Sequence, residues 1–254
     1  MPVENGIYYS VSDLGTGKSI PIVLIHGAGG SSLGWHTLLR RMPGVNVITP
    51  DLPGHGKSDG AGRQSINDYA CDIYDFIHTL KLPRVVLAGH SLGGAVAIQT
   101  ALIAPERVIG LIVVSSGAVC NIPEEVVHSL SNPEMMGRAV DWLCEKLRST
   151  RDGQKWVDQT RQALLKTRQG ILYGDLYACL HTNLEAECGN IRVPTLVCTG
   201  KHDRFIPPVY SRHLAELIPN AKVAELDGGH LLPLERPEEL VILFQEFVKS
   251  IKHS

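Results

Sequence analysis

The segment Gly89-His90-Ser91-Leu92-Gly93-Gly94 lies between two stretches of different character. Before it, Arg84-Val85-Val86-Leu87-Ala88 has the β-branched make-up of a central parallel strand, and after it residues 95–102 suit a packed helix. A serine at such a junction is carried through a sharp, strained turn, and glycines two positions to either side remove side chains that would collide across the bend. Ser91 then stands at a helix start, where unpaired N–H groups and the positive dipole end favour developing negative charge. A serine hydroxyl is a poor nucleophile unless a base takes its proton, and the base needs a third group to orient it. Asp203 follows the strand candidate at residues 195–198, and His230 follows the one at residues 222–226. Each candidate therefore falls at the carboxyl edge of one sheet, in the order Ser, Asp, His.

His230 is the expected general base because an imidazole titrates near neutrality, with Asp203 expected to fix its tautomer and stabilise the imidazolium. His202 competes for the base role from the loop that carries the acid, and Asp227 competes for the acid role from a position close to His230. Both are weaker candidates, since His202 would need a different orienting partner and Asp227 lies too near His230 in sequence for a productive approach. Singly, a capping aspartate or a loop histidine is ordinary. Their order around Ser91 is what points to attack on a carbonyl. The oxyanion of such a reaction needs donors, and His26-Gly27-Ala28-Gly29-Gly30 offers a compliant turn directly after a strand candidate. The backbone N–H groups of Ala28 and Leu92 are the expected pair. The same turn lacks a full Gly-x-Gly-x-x-Gly and a Walker lysine, which argues against nucleotide binding.

These residues need a scaffold that brings distant segments to one edge. Apolar runs at residues 20–25, 45–49, 84–88, 108–114, 195–198 and 222–226 alternate with helical stretches near residues 33–41, 66–80, 95–102 and 237–249. This rhythm predicts a parallel sheet covered by helices on both faces. Tyr8-Tyr9-Ser10-Val11, with Gly15 and Gly17 in the turn after it, is expected to add an antiparallel edge strand. Between residues 118 and 187 no strand pattern appears, and the apolar residues instead repeat at helical spacing. An insertion there is expected to lie over the carboxyl edge as a lid, where open α/β sheets bind ligands. Trp142, Trp156, Leu172 and Tyr177 are its candidates for lining a pocket, with helix packing the default for each.

Composition narrows the classes. The 254 residues are 44% hydrophobic, enough for a substantial core, and 24 Lys and Arg against 26 Asp and Glu give a formal charge of −2. No basic block is present to neutralise a phosphate backbone, so a nucleic-acid partner is not expected. No run approaches a membrane span, and the N-terminal residues lack the pattern of a signal peptide, so a cytoplasmic location is expected. The six cysteines form no chelating pattern and are expected to be reduced, with no metal bound.

Taken in order, His26-Gly27-Ala28-Gly29, Asp51-Leu52-Pro53-Gly54-His55-Gly56-Lys57-Ser58, the turn at residues 89–94, Gly200-Lys201-His202-Asp203 and Gly229-His230 resemble the α/β-hydrolase superfamily over nearly the whole chain. The resemblance implies a mostly parallel sheet flanked by helices, a core of residues 1–117 and 188–254, and a helical cap at 118–187 that shapes access. It also implies that Asp51 and His55 are structural. Ser91 stands where haloalkane dehalogenases and epoxide hydrolases of the superfamily have aspartate. His90 and Leu231 replace the asparagine and tryptophan of its carbon-carbon bond hydrolases. The expected activity is a serine esterase, acting without a cofactor on a small to medium carboxylic ester through an acyl-enzyme on Ser91. Lactonase, thioesterase, carbon-carbon hydrolase and perhydrolase activities use the same triad, and a small-molecule receptor is the non-enzymatic alternative. A monomer or a homodimer is expected.

Overall fold

The computed structural model describes residues 3–12, 20–150 and 153–251. The strands are β1 (Val3–Glu4), β2 (Ile7–Val11), β3 (Ile22–Ile25), β4 (Val47–Pro50), β5 (Val85–His90), β6 (Val108–Val114), β7 (Thr195–Gly200) and β8 (Ala221–Leu226). They form one sheet in the order β1-β2-β4-β3-β5-β6-β7-β8, in which β2 pairs antiparallel with both β1 and β4 and the remaining pairs are parallel. The central strands are buried on both sides. Val23, Ile25, Val85, Leu87, Leu111 and Val113 join one core cluster, while Ile22, Leu24, Val86, Ala88, Ile112 and Val114 join the other. That two-residue alternation between two cores is why these strands read as unbroken apolar runs.

The helices are α1 (Thr37–Arg40), α2 (Ile66–Thr79), α3 (Leu92–Ile103), α4 (Glu124–Ser129), α5 (Met136–Leu147), α6 (Gln154–Lys166), α7 (Gln169–Leu180), α8 (Glu185–Cys188), α9 (Pro208–Leu217), α10 (Leu232–Glu235) and α11 (Pro237–Ile251). Residues of α2, α3 and α9 pack into the first core, and residues of α1 and α11 into the second. Helix α3 is buried nearly all round, which matches its uniformly apolar sequence. Helices α4 to α8 occupy the stretch between β6 and β7, and an antiparallel bridge between Val119 and Asn183 ties its two ends together.

Two expectations change. The strand at Tyr8–Val11 is antiparallel but is not the edge, because Asn5 and Gly6 take positive φ angles of 49° and 77° and turn the chain back from β1, which lies outside it. An Asn-Gly pair favours such a two-residue hairpin turn. The expected turn containing Gly15 and Gly17 lies outside the described residues. The helix expected near residues 33–41 is two short pieces, a 3-10 turn at Ser32–Gly34 and α1, because the chain is extended at Trp35.

The sheet order fixes where a ligand can sit. From β3 the chain moves outward to β4, then crosses back to place β5 on the other side of β3. The connections leaving β3 and β5 therefore depart in opposite directions, opening a crevice at their carboxyl ends. The His26–Gly30 turn follows β3, and Ser91 follows β5.

Candidate active site

Ser91 sits at the tip of the β5–α3 turn with φ 54° and ψ −122°. For a residue with a β-carbon this conformation costs on the order of 1–3 kcal/mol. It is held by hydrogen bonds from the Ser91 N–H to the Val114 carbonyl (3.0 Å) and from the Gly94 N–H to the Ser91 carbonyl (2.8 Å). The flanking glycines are required by contact. A β-carbon on Gly89 would collide with the Gly93 carbonyl, and one on Gly93 with the carbonyl oxygens of Ile25 and His26.

The structure brings Ser91, Asp203 and His230 together. His230 Nε2 lies 3.0 Å from Ser91 Oγ, and His230 Nδ1 lies 2.8 Å from Asp203 Oδ2. The other carboxylate oxygen of Asp203 accepts the N–H groups of Phe205 (2.9 Å) and Ile206 (2.8 Å), which anchors the acid to its own loop. With Asp203 an acceptor, Nδ1 of His230 carries the proton and Nε2 turns its lone pair toward the serine hydroxyl. Asp203 and His230 are both buried. The competitors are elsewhere, since His202 and Asp227 pair with each other at the exposed surface (2.8 Å).

Gly27 abuts the nucleophile, because a β-carbon added there would lie 3.3 Å from the Ser91 β-carbon. Ala28 and Ser91 line one small cavity of about 70 Å³ with Leu143, Leu147, Leu172 and Phe205. Among the described residues, neither the Ala28 N–H nor the Leu92 N–H has a hydrogen-bond partner. Both expected oxyanion donors are thus unpaired near the serine. The cavity adjoins a cleft of about 750 Å³ that shares Gly27, Ala28, His90, Thr160, Leu164 and Leu231 with it. Leu172 therefore lines the cavity and Trp156 lines the cleft. Trp142 packs edge-on against Phe205, and Tyr177 stacks on His181, so these two serve packing.

Several supporting residues escape sequence reasoning. Phe205 meets the His230 ring edge-on at 4.8 Å, and His90 donates from Nε2 to the His230 carbonyl at 2.8 Å. His26 donates from Nδ1 to the Gly27 carbonyl and accepts the Leu52 N–H at Nε2. Asp51 accepts the N–H groups of Ser32 and Lys57, the structural role expected of it. Among the described residues no cluster of metal-ligating side chains is present, and no helix is long and apolar enough to cross a membrane. All six cysteines are free.

The buried histidines have opposite electrostatics. Burial, reinforced by the neighbouring His230, lowers His90 to about 3. Burial and His55 lower His26 to about 4. Burial also opposes charge on His55, but the Asp175 carboxylate at 2.8 Å outweighs it and raises His55 above the usual value. An unfolded histidine titrates near 6.5, so below that pH the unfolded chain takes up protons that folded His26 and His90 refuse. Each is expected to remove about 1.4 kcal/mol of stability per pH unit on the way down toward pH 4. His55 contributes fully below its unfolded value and loses its contribution only as pH rises through its folded one. Urea unfolding between pH 7 and 4 measures the slope, which should be shallower by about one group's share in His90→Gln. An unchanged slope in that variant contradicts the assignment.

The profile of the Alpha/beta hydrolase family matches residues 22–242. A Bacillus subtilis protein named putative 2-succinyl-6-hydroxy-2,4-cyclohexadiene-1-carboxylate synthase is 35% identical, covering 98% of this chain and 97% of its own. A putative carbamate hydrolase RutD from Azorhizobium caulinodans is 28% identical over 94% of each chain. The crystal structure of the enol-lactonase from Burkholderia xenovorans shares the fold with a TM-score of 0.87, at 24% identity over 96% of each chain.

Proposed function

Because the chain belongs to the alpha/beta hydrolase family, we propose that it is a serine hydrolase that cleaves small to medium carboxylic esters through an acyl-enzyme on Ser91. The observation that carries this reading is the unbroken hydrogen-bond line from Asp203 through His230 to Ser91. His230 Nε2 takes the Ser91 proton as Oγ bonds to the ester carbonyl carbon, and the carbonyl π pair moves onto oxygen. The Ala28 and Leu92 N–H groups receive that oxyanion. Its collapse breaks the carbon–oxygen bond to the alcohol, which leaves with the proton from His230. Water, deprotonated by the same nitrogen, then releases the acid and restores the serine. The helices between β6 and β7 act as the cap, with Leu143, Leu147, Leu164, Leu172 and Leu176 giving the cavity its apolar wall.

A second reading concerns the substrate's charge. Arg40, Lys166 and Arg168 line the cleft, and among the described residues no carboxylate does. Arg168 donates to the Gly54 and Gly60 carbonyls, and Arg40 to the Trp35 carbonyl and the Thr37 hydroxyl, so neutral oxygens rather than carboxylates hold both guanidinium groups. The 35% identical relative carries a carboxylate in the name of its product. These features favour a substrate with a carboxylate of its own. Comparing p-nitrophenyl butyrate with mono-p-nitrophenyl succinate tests both readings. Turnover of either supports the esterase, and an advantage of about fivefold in kcat/KM for the succinate is expected, since an exposed ion pair is worth up to about 1 kcal/mol. Added salt and Lys166→Gln should shrink that advantage. Equal rates would contradict the anionic substrate, and no turnover of any ester would contradict the esterase.

A further inference from the structure

Helix α7 carries one acid in an otherwise apolar run, and Asp175 is fully buried. Its Oδ2 accepts the Gly29 N–H at 2.7 Å and His55 Nε2 at 2.8 Å, and its Oδ1 accepts the Tyr69 hydroxyl at 2.5 Å. His55 also donates from Nδ1 to the Pro53 carbonyl at 3.1 Å, so both ring nitrogens face acceptors and the ring pairs with the carboxylate as a cation. From the α6–α7 connection, the Thr167 hydroxyl lies 2.9 Å from the Gly29 carbonyl and 3.1 Å from that of Ala163. Both backbone groups of Gly29, the residue after the Ala28 donor, are therefore held by the helices between β6 and β7. Leu164 and Leu172 close over the same glycine, whose φ is +61°.

Peptide planarity turns these contacts into a constraint on one N–H. The Ala28 N–H shares a rigid unit with the Gly27 carbonyl, which accepts from the Gly30 N–H (3.1 Å) and His26 Nδ1 (2.8 Å). The next unit is held at its N–H by Asp175. The one after is held at its carbonyl by Thr167, and its own N–H is the Gly30 donor to Gly27. Three successive units are thus fixed, and the N–H left without a partner is that of Ala28. A contact that served only to dock the insert would not need to end on both backbone groups of that loop.

We propose that Asp175 and Thr167 are positioning residues that reach from the helical insert to set the direction of the Ala28 oxyanion donor, so that the insert takes part in building the site as well as covering it. This rests on the reading of Ser91 as the nucleophile. It predicts that disturbing either residue lowers the rate of the chemical step rather than the affinity for substrate. An asparagine at 175 cannot accept from Gly29, His55 and Tyr69 at once, because its amide nitrogen only donates, either to the Tyr69 oxygen or against the Gly29 and His55 donors, and in both orientations it lacks the charge that pairs with His55.

The test compares wild type, Asp175→Asn, Thr167→Val and Thr167→Ser on mono-p-nitrophenyl succinate and p-nitrophenyl butyrate. Active sites are counted by exhaustive fluorophosphonate labelling of Ser91, and folding is followed by thermal unfolding. Per labelled site, kcat should fall about 10- to 100-fold in Asp175→Asn and less in Thr167→Val, with KM within about twofold, as misplacing an oxyanion donor predicts. Thr167→Ser, which keeps the hydroxyl, should restore the rate. The rate of phosphonylation should fall in parallel. Wild-type kcat per labelled site in both Asp175→Asn and Thr167→Val, whatever their melting temperatures, would show a docking role and overturn the inference alone. A wild-type chain that labels nowhere at Ser91 and turns over neither ester would overturn the hydrolase reading and this inference with it.

Discussion

Replacing Ser91 with alanine is expected to lower kcat/KM on short chromogenic esters by about 10⁴- to 10⁶-fold while leaving the fold intact. The Oγ atom is the one that would bond to the substrate, and its interaction within the protein is the 3.0 Å contact with His230 Nε2. Alanine keeps the β-carbon and so adds no crowding at the φ of 54°, where the turn is fixed by backbone bonds to the Val114 carbonyl and from the Gly94 N–H. His230 stays anchored through Asp203 and His90. The Ala28 and Leu92 N–H groups also remain, so any residual rate reports polarisation of the carbonyl without a nucleophile. Stopped assays should be paired with a thermal melt. A variant that melts like wild type yet keeps full activity would remove Ser91 from the mechanism.

The second large effect is expected at Asp203, and its cause is the histidine tautomer. In Asp203→Asn the amide oxygen would stay with the Phe205 and Ile206 N–H groups, which need an acceptor at 2.9 and 2.8 Å. The amide nitrogen then faces His230 Nδ1 and donates to it. His230 must shift its proton to Nε2, which presents N–H to Ser91 where a lone pair is needed. The expected loss is about 10⁴-fold in kcat with little change in KM, because ground-state binding does not use this bond. Raising the pH should recover little of it, since the fault is the position of a proton and not its number. Near-wild-type turnover in Asp203→Asn would mean that another acid orients His230.

What the sequence makes legible follows from local physics. Central strands such as β5 and β6 show as apolar runs because they are covered on both faces, and α3 shows through its small residues. Ser91, Asp203 and His230 share an edge because each follows a parallel strand, so order along the chain translates into place in space. The helix near residues 33–41 misleads because apolar spacing alone cannot register the extended backbone at Trp35. The Asn5-Gly6 turn was available as a signal, and it explains why β2 lies inside the sheet. Contacts such as Asp175 with Gly29, 146 positions apart, have no periodicity to betray them. The lone acid within the apolar α7 is the trace that such a buried partner leaves, because an unpaired charge there would be costly.

The central claim is that Ser91 becomes acylated. Rapid mixing with p-nitrophenyl butyrate or mono-p-nitrophenyl succinate, acid quenching within the burst and mass measurement of the intact chain and its peptides test this most directly. The account predicts one added acyl group per chain, on the peptide containing Ser91, with a matching burst of nitrophenol and no adduct in Ser91→Ala. Turnover with no burst and no adduct at Ser91, or an adduct on another residue, would contradict it.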